Sequence, residues 1–86
     1  MILGTVKGTV VSTRKFENLR GYKLLMVEPY FSDKEKILIA ADTIGAGIGE
    51  LVLVTTDQTT QYAIDKSAPI DAFIVGIVDS PPVMGK

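Results

Sequence analysis

Five short runs of apolar and β-branched residues, separated by turn-forming residues, constrain the fold of this chain more than any other feature. They occupy residues 3–13, 22–28, 37–41, 51–56 and 72–78. Short runs at this spacing are typical of an all-β sandwich or barrel, whereas parallel strands need longer connections that are usually helical. The sequence therefore predicts a single all-β domain that spans residues 1–86.

Details within two segments favour a small barrel. In the first run Val6 and Val10 lie on one face together with Gly8, and a glycine inside a strand indicates a bulge or a sharp bend. Residues 57–64 are predicted to form one or two helical turns, with Asp57 as the N-cap. Five strands with one short helix before the last strand is the layout of an OB-like barrel.

Composition removes most catalytic and metal-binding chemistry. The chain has no cysteine and no histidine, so it lacks a disulfide framework, a thiolate nucleophile and the commonest general base and metal ligand. The acidic residues that border strands are interpreted as groups that cap turns or accept backbone N–H bonds. These residues are Asp42, Glu50, Asp71 and Asp79. We therefore predict no catalytic residues, no metal, no cofactor and no enzymatic activity.

Charge and hydrophobicity constrain the possible partners. The net charge of −1 provides no overall field that would attract nucleic acid or an anionic membrane. The apolar content of 47% is high for 86 residues, which predicts burial in an oligomer as well as in a core. No apolar run approaches the roughly 18–20 residues of a membrane span, and the N-terminus lacks a secretory signal pattern. We expect a soluble cytoplasmic protein.

The segment 42–50, with the sequence DTIGAGIGE, contains three glycines at alternate positions. Glycine is favoured where φ is positive or where backbones approach closely, and elsewhere it is costly. The spacing Gly-x-Gly-x-Gly, followed by a strand-like run, matches neither the dinucleotide fingerprint nor the P-loop. Two interpretations stay open: a tight turn between two strands, and a glycine-lined contact between subunits.

A basic cluster lies at residues 14–23, where Arg14, Lys15, Arg20 and Lys23 accompany a single glutamate. Basic residues interleaved with aromatic ones on an OB-like barrel are compatible with single-stranded nucleic-acid binding. Because aromatic residues are few and the rest of the chain is acidic, a solvated loop or a contact with an acidic partner is favoured instead. The remaining alternatives are an OB-type nucleic-acid-binding module and a small ligand-binding barrel.

Four blocks of the sequence together resemble one family. They are LGTVKGTVVSTRK at residues 3–15, LRGYKLLMVEP at 19–29, DTIGAGIGELVLV at 42–54 and APIDAFIVGIVD at 68–79. In this order they resemble the EutN/CcmL family, the pentameric vertex proteins of bacterial microcompartment shells. Two segments depart from the family pattern: TDQTTQYA at residues 56–63 stands where relatives often carry Gly-Ser-x-Ala-Arg, and the tail after Asp79 is short.

The resemblance implies an OB-like barrel that assembles as a cyclic homopentamer and has no catalytic activity. It also implies docking among hexameric shell proteins, in the shell of a microcompartment within the bacterial cytoplasm, with neither nucleic acid nor membrane as a partner. Small residues are expected where five subunits converge, so we assign the subunit interface or the pore rim to Gly45, Ala46, Gly47, Ile48, Gly49 and Glu50. The candidates for contact with shell tiles are Arg14, Lys15, Arg20 and Lys23.

Overall fold

The structure is a computed structural model that describes residues 1–12, 17–19, 21–31, 36–56 and 70–85. Within these ranges the chain forms five strands and a short 3-10 helix. The strands are β1 (Ile2–Val10), β2 (Lys23–Pro29), β3 (Leu38–Asp42), β4 (Leu51–Thr56) and β5 (Ala72–Val78), and the 3-10 helix spans Glu17–Leu19. β4 and β5 have the predicted bounds, and β2 and β3 begin and end one residue later than predicted. The helix predicted at residues 57–64 lies outside the described ranges.

The five strands close into a barrel in the order β1-β2-β3-β5-β4. β1 is antiparallel to both β2 and β4, and the pairs β2–β3 and β4–β5 are also antiparallel. The barrel closes through a parallel contact of β3 with β5, in which Ala41 lies opposite Phe73. Closure gives each strand two neighbours, and the β3–β5 contact is the shortest of the five, with a single pair of residues in register. The predicted five-stranded barrel is confirmed.

The barrel interior is filled by alternate residues of the strands, as the period of two in a β-strand requires. Leu25 and Val27 of β2, and Val52 and Val54 of β4, are at most 1% exposed. The interior cluster consists of Val6, Leu25, Val27, Ala40, Ala46, Val52, Val54, Ala72 and Ile74. The intervening residues of β2 and β4 point outward and are only partly buried, although several of them are apolar.

β1 contains the irregularity that Gly8 predicted. The pairing with β2 changes from Val6 opposite Val27 to Gly8 opposite Met26, so Lys7 is an extra residue in β1. Such a bulge bends a strand and increases its twist, which helps a small sheet to close.

The predicted first strand was too long. β1 ends at Val10, which lies opposite Leu24, whereas the prediction extended to residue 13. The apolar pattern continues past Val10, but the partner strand β2 begins at Lys23 and leaves almost no backbone with which to pair.

At Gly4, β1 lies too close to β2 to leave room for a side chain. A Cβ atom at this position would contact Cγ1 of Val27 and would lie 2.9 Å from the carbonyl oxygen of Glu28. Because one of these neighbours is backbone, a side chain at residue 4 would require the two strands to move apart.

Candidate functional site

The glycine loop, defined here as residues 43–50, connects β3 to β4, and its first half is organised by one carboxylate. Asp42 is the last residue of β3 and is 2% exposed. Its Oδ1 accepts a hydrogen bond from the N–H of Ile44 at 3.1 Å, and its Oδ2 accepts from Gly45 at 3.1 Å and Ala46 at 2.8 Å. The prediction that carboxylates at strand borders accept backbone N–H bonds is confirmed at this position.

The second half of the loop is held by Glu50 and by β1. The N–H of Gly47 donates to Oε1 of Glu50 at 2.6 Å, and the N–H of Glu50 donates to the carbonyl of Gly47 at 3.1 Å. The N–H of Gly49 donates to the carbonyl of Val6 at 2.8 Å, while the N–H of Val6 donates to the carbonyl of Glu50 at 3.0 Å. The loop is therefore tied to the barrel at both of its ends.

The three glycines of the loop serve two different purposes. Gly45 and Gly49 have φ values of +90° and +91°, a region that favours glycine. Gly47 does not have a positive φ, and a Cβ there would lie 3.3 Å from Oε1 of Glu50. The glycines are therefore used within the subunit, which confirms the interpretation as a tight turn. A contact with another copy is not tested by this geometry.

The side chains of the loop divide between the interior and the surface. Ala46 is 1% exposed and belongs to the interior cluster, so its side chain is used within the subunit. Ile48 is 70% exposed, and Ile44, which the sequence analysis did not single out, is 50% exposed. The sequence contains a signal for this arrangement, the pattern Ile-x-Ala-x-Ile, in which two isoleucines flank an alanine at alternate positions.

Of the four basic residues at positions 14–23, only Lys23 belongs to the described residues. Arg14, Lys15 and Arg20 lie outside the described residues, and their role as tile contacts stays a prediction. Lys23 is exposed at the start of β2, opposite Asp42 in the strand register, so it lies near the base of the glycine loop.

In the described residues, no group of three or more His, Cys, Asp or Glu side chains is placed to hold a metal ion. Asp42 and Glu50 are used to hold the glycine loop, while Asp71 and Asp79 are exposed. In the same ranges no helix has the length and apolar character needed to cross a bilayer. The structure is a small barrel whose glycine loop is held by hydrogen bonds within the subunit and exposes Ile44 and Ile48.

The family follows from comparison with known proteins. Residues 1–79 match the family model described as "Ethanolamine utilisation protein EutN/carboxysome". The chain belongs to this EutN/CcmL family, as the resemblance predicted.

Relatives and solved structures agree with this assignment. The shell vertex protein GrpN of Rhodospirillum rubrum is 44% identical, over 93% of this chain and 94% of its own length. The carboxysome shell vertex protein CcmL of a Synechocystis strain is 41% identical, over 93% and 84%. The pentameric GrpN structure has a TM-score of 0.82 at 40% identity and covers 98% of this chain and all of its own. The pentameric shell protein MSM0273 of the RMM microcompartment has a TM-score of 0.85 at 32% identity, with coverages of 100% and 99%.

We expect Asp42→Asn to destabilise the subunit by about 1–3 kcal/mol. Whichever way the amide turns, at least one of the three N–H groups loses its acceptor and meets an NH₂ group instead. Urea unfolding at one fixed protein concentration measures the loss. The matched control is Asp79→Asn, which removes an exposed carboxylate; equal midpoints for the two variants would contradict the role given to Asp42.

We expect Gly49→Ala to cost about 1–2 kcal/mol, because an L side chain at φ +91° is strained. Gly47→Ala should cost less, since its Cβ would meet only the flexible carboxylate of Glu50. Thermal unfolding of both variants against the unchanged chain gives the comparison. A larger loss at residue 47 than at residue 49 would show that the backbone account of the loop is wrong.

Proposed function

We propose that this chain forms a homopentamer that occupies the vertices of a bacterial microcompartment shell, among hexameric shell proteins. The observation that carries the proposal is the match along nearly the whole chain. The relatives are named as shell vertex proteins at 39–44% identity over 93% of this chain, and two structures described as pentameric shell proteins share its fold.

The physical need for such a subunit comes from the geometry of closed shells. Flat tiles with six-fold symmetry extend indefinitely as a sheet, and closure into a polyhedron requires a fixed small number of five-fold points. A cyclic pentamer supplies these points. Its ring must be built from a heterologous interface, in which one face of each subunit meets a different face of the next.

The glycine loop is the element proposed to lie at the subunit contact or at the pore rim, through Gly45, Gly47, Ile48, Gly49 and Glu50. Its hydrogen bonds to Asp42 and to β1 fix its conformation before assembly, so less conformational entropy is lost when it is buried. Ala46 supports this contact from the inside, because its methyl group lies in the core below the loop.

The edge of the ring is proposed to meet hexameric tiles through charge and shape complementarity. The free pentamer must stay soluble before capture, so large apolar edges are disfavoured. Lys23, together with Arg14, Lys15 and Arg20, supplies positive charge for such an edge. The proposed role is structural, and no step of it requires catalysis, a metal or a cofactor.

The first test is the oligomeric state. Native mass spectrometry and sedimentation at micromolar concentration should give a mass of five chains, because the ring is the unit of function. A stable monomer, or a ring of a different number, contradicts the proposed pentamer.

The second test is shell closure. Co-expression with the cognate hexameric shell proteins should give closed shells of limited size, and omission of this chain should give open or elongated assemblies. Electron microscopy and leakage of an encapsulated fluorescent protein provide the readouts. Unchanged closure and leakage without the chain, when no second vertex protein is present, would contradict the vertex role.

A further inference from the structure

The barrel closes between β3 and β5 through a short parallel contact. Every other pair of neighbouring strands has at least four residue pairs in register, whereas here Ala41 opposite Phe73 is the single pair. β3 ends at Asp42, one residue after this pair, so β5 from Val75 onward has no strand partner on this side among the described residues. The hydrogen bonds of a ladder therefore contribute little to this junction, which we call the β3–β5 seam.

Side chains cover the outside of the β3–β5 seam. Ala72 and Ile74 belong to the interior cluster, so Phe73 between them points outward. Ala41, its partner in register, lies on the same side of the sheet. Both residues are nevertheless buried, with Phe73 at 7% exposure and Ala41 at 1%. An outward aromatic side chain with so little exposure is packed under other groups of the subunit.

Tyr22 supplies part of this cover. It precedes β2, and its ring meets the ring of Phe73 edge to face, with centroids 6.2 Å apart and an interplanar angle of 81°. Aromatic pairs favour this geometry, and the contact stabilises them beyond the area that they bury. The N–H of Tyr22 donates to the carbonyl of Leu19 at 3.2 Å, so a turn after the 3-10 helix holds the residue in place. A ring from the segment before β2 thus reaches across to β5.

We propose that the β3–β5 seam opens locally before the rest of the barrel unfolds, and that the contact of Tyr22 with Phe73 is a latch that holds it closed. Segments with few hydrogen bonds open at a lower free energy than the core of a protein. Opening at this seam leaves the four antiparallel strand pairs intact. The inference is independent of the proposed pentamer, because each contact that carries it lies within one subunit.

The test uses a single introduced thiol, since the chain has no cysteine of its own. Ala40→Cys places the thiol in the interior side of β3, at the seam, and Val6→Cys places it in β1, which is adjacent to neither β3 nor β5. Both positions are 0% exposed, so the thiol reacts only when the barrel opens. Labelling by dithiobis(nitrobenzoic acid) without denaturant gives the rates, and urea unfolding of each variant gives its global stability.

Ala40→Cys should be labelled at least about tenfold faster than its global unfolding allows, whereas labelling of Val6→Cys should follow global unfolding. Adding Tyr22→Leu should raise the rate at residue 40 by about threefold or more, beyond its effect on global stability, because the edge-to-face contact is lost. Tyr22→Phe keeps the ring and should leave this rate unchanged.

The matched control is Tyr30→Leu. Tyr30 also belongs to an edge-to-face pair, with Phe31 at 5.0 Å and 77°, but it follows β2 and its N–H donates to the carbonyl of Leu3 in β1. Its substitution should change the labelling of Ala40→Cys only as far as it changes global stability.

Labelling of both cysteines at the rates of global unfolding would overturn the weak seam, and this comparison requires no change at the latch. An equal increase at residues 40 and 6 in Tyr22→Leu, or the same increase in Tyr30→Leu, would show that the ring contact is not a latch of the seam. Complete unfolding of Tyr22→Leu would assign the pair to the whole barrel and would also reject the latch. None of these outcomes bears on the oligomeric state, which native mass determines separately.

Discussion

The carboxylate of Asp42 determines how the chain passes from β3 into β4. A carboxyl group at 2% exposure is costly unless it is hydrogen-bonded, and here three successive backbone N–H groups donate to it. These bonds turn the backbone so that Ala46 enters the core while Ile44 and Ile48 face outward. The position of the apolar loop surface therefore depends on a polar interaction below it.

Closure of the barrel determines what kind of assembly remains possible. Because each strand has a neighbour on both sides, little free sheet edge remains to which a second copy could add a strand. Side chains on the outer faces and loops are then the main surfaces for association. Several outward residues of β2 and β4 are apolar where a solvated barrel would carry polar ones, as Met26 and Leu53 illustrate. The apolar residues of this short chain therefore lie on the outside of the barrel as well as in its core.

Sequence patterns predicted the positions of the strands more successfully than the contacts between them. The runs of β4 and β5 were placed correctly because each is bounded by turn residues on both sides, and the family was recognised from short motifs. The end of β1 was missed because it depends on where β2 begins. The requirement for glycine at Gly4 depends on Glu28 and Val27 across the sheet, and local patterning does not contain that contact. The roles of Asp42 and Glu50 were foreseen only as a general property of carboxylates beside strands, since the identity of the donors depends on the folded path of the loop.

The proposed vertex role also explains why the loop and the barrel should be stiff. A ring closes with five members only if each contact repeats the same angle, and a subunit that deformed easily would allow other ring sizes or open filaments. Two features oppose such deformation: hydrogen bonds that tie the glycine loop to Asp42 and Val6, and a closed barrel whose interior side chains are almost completely buried. The angle between neighbours is then determined by the positions of the outer faces on the barrel.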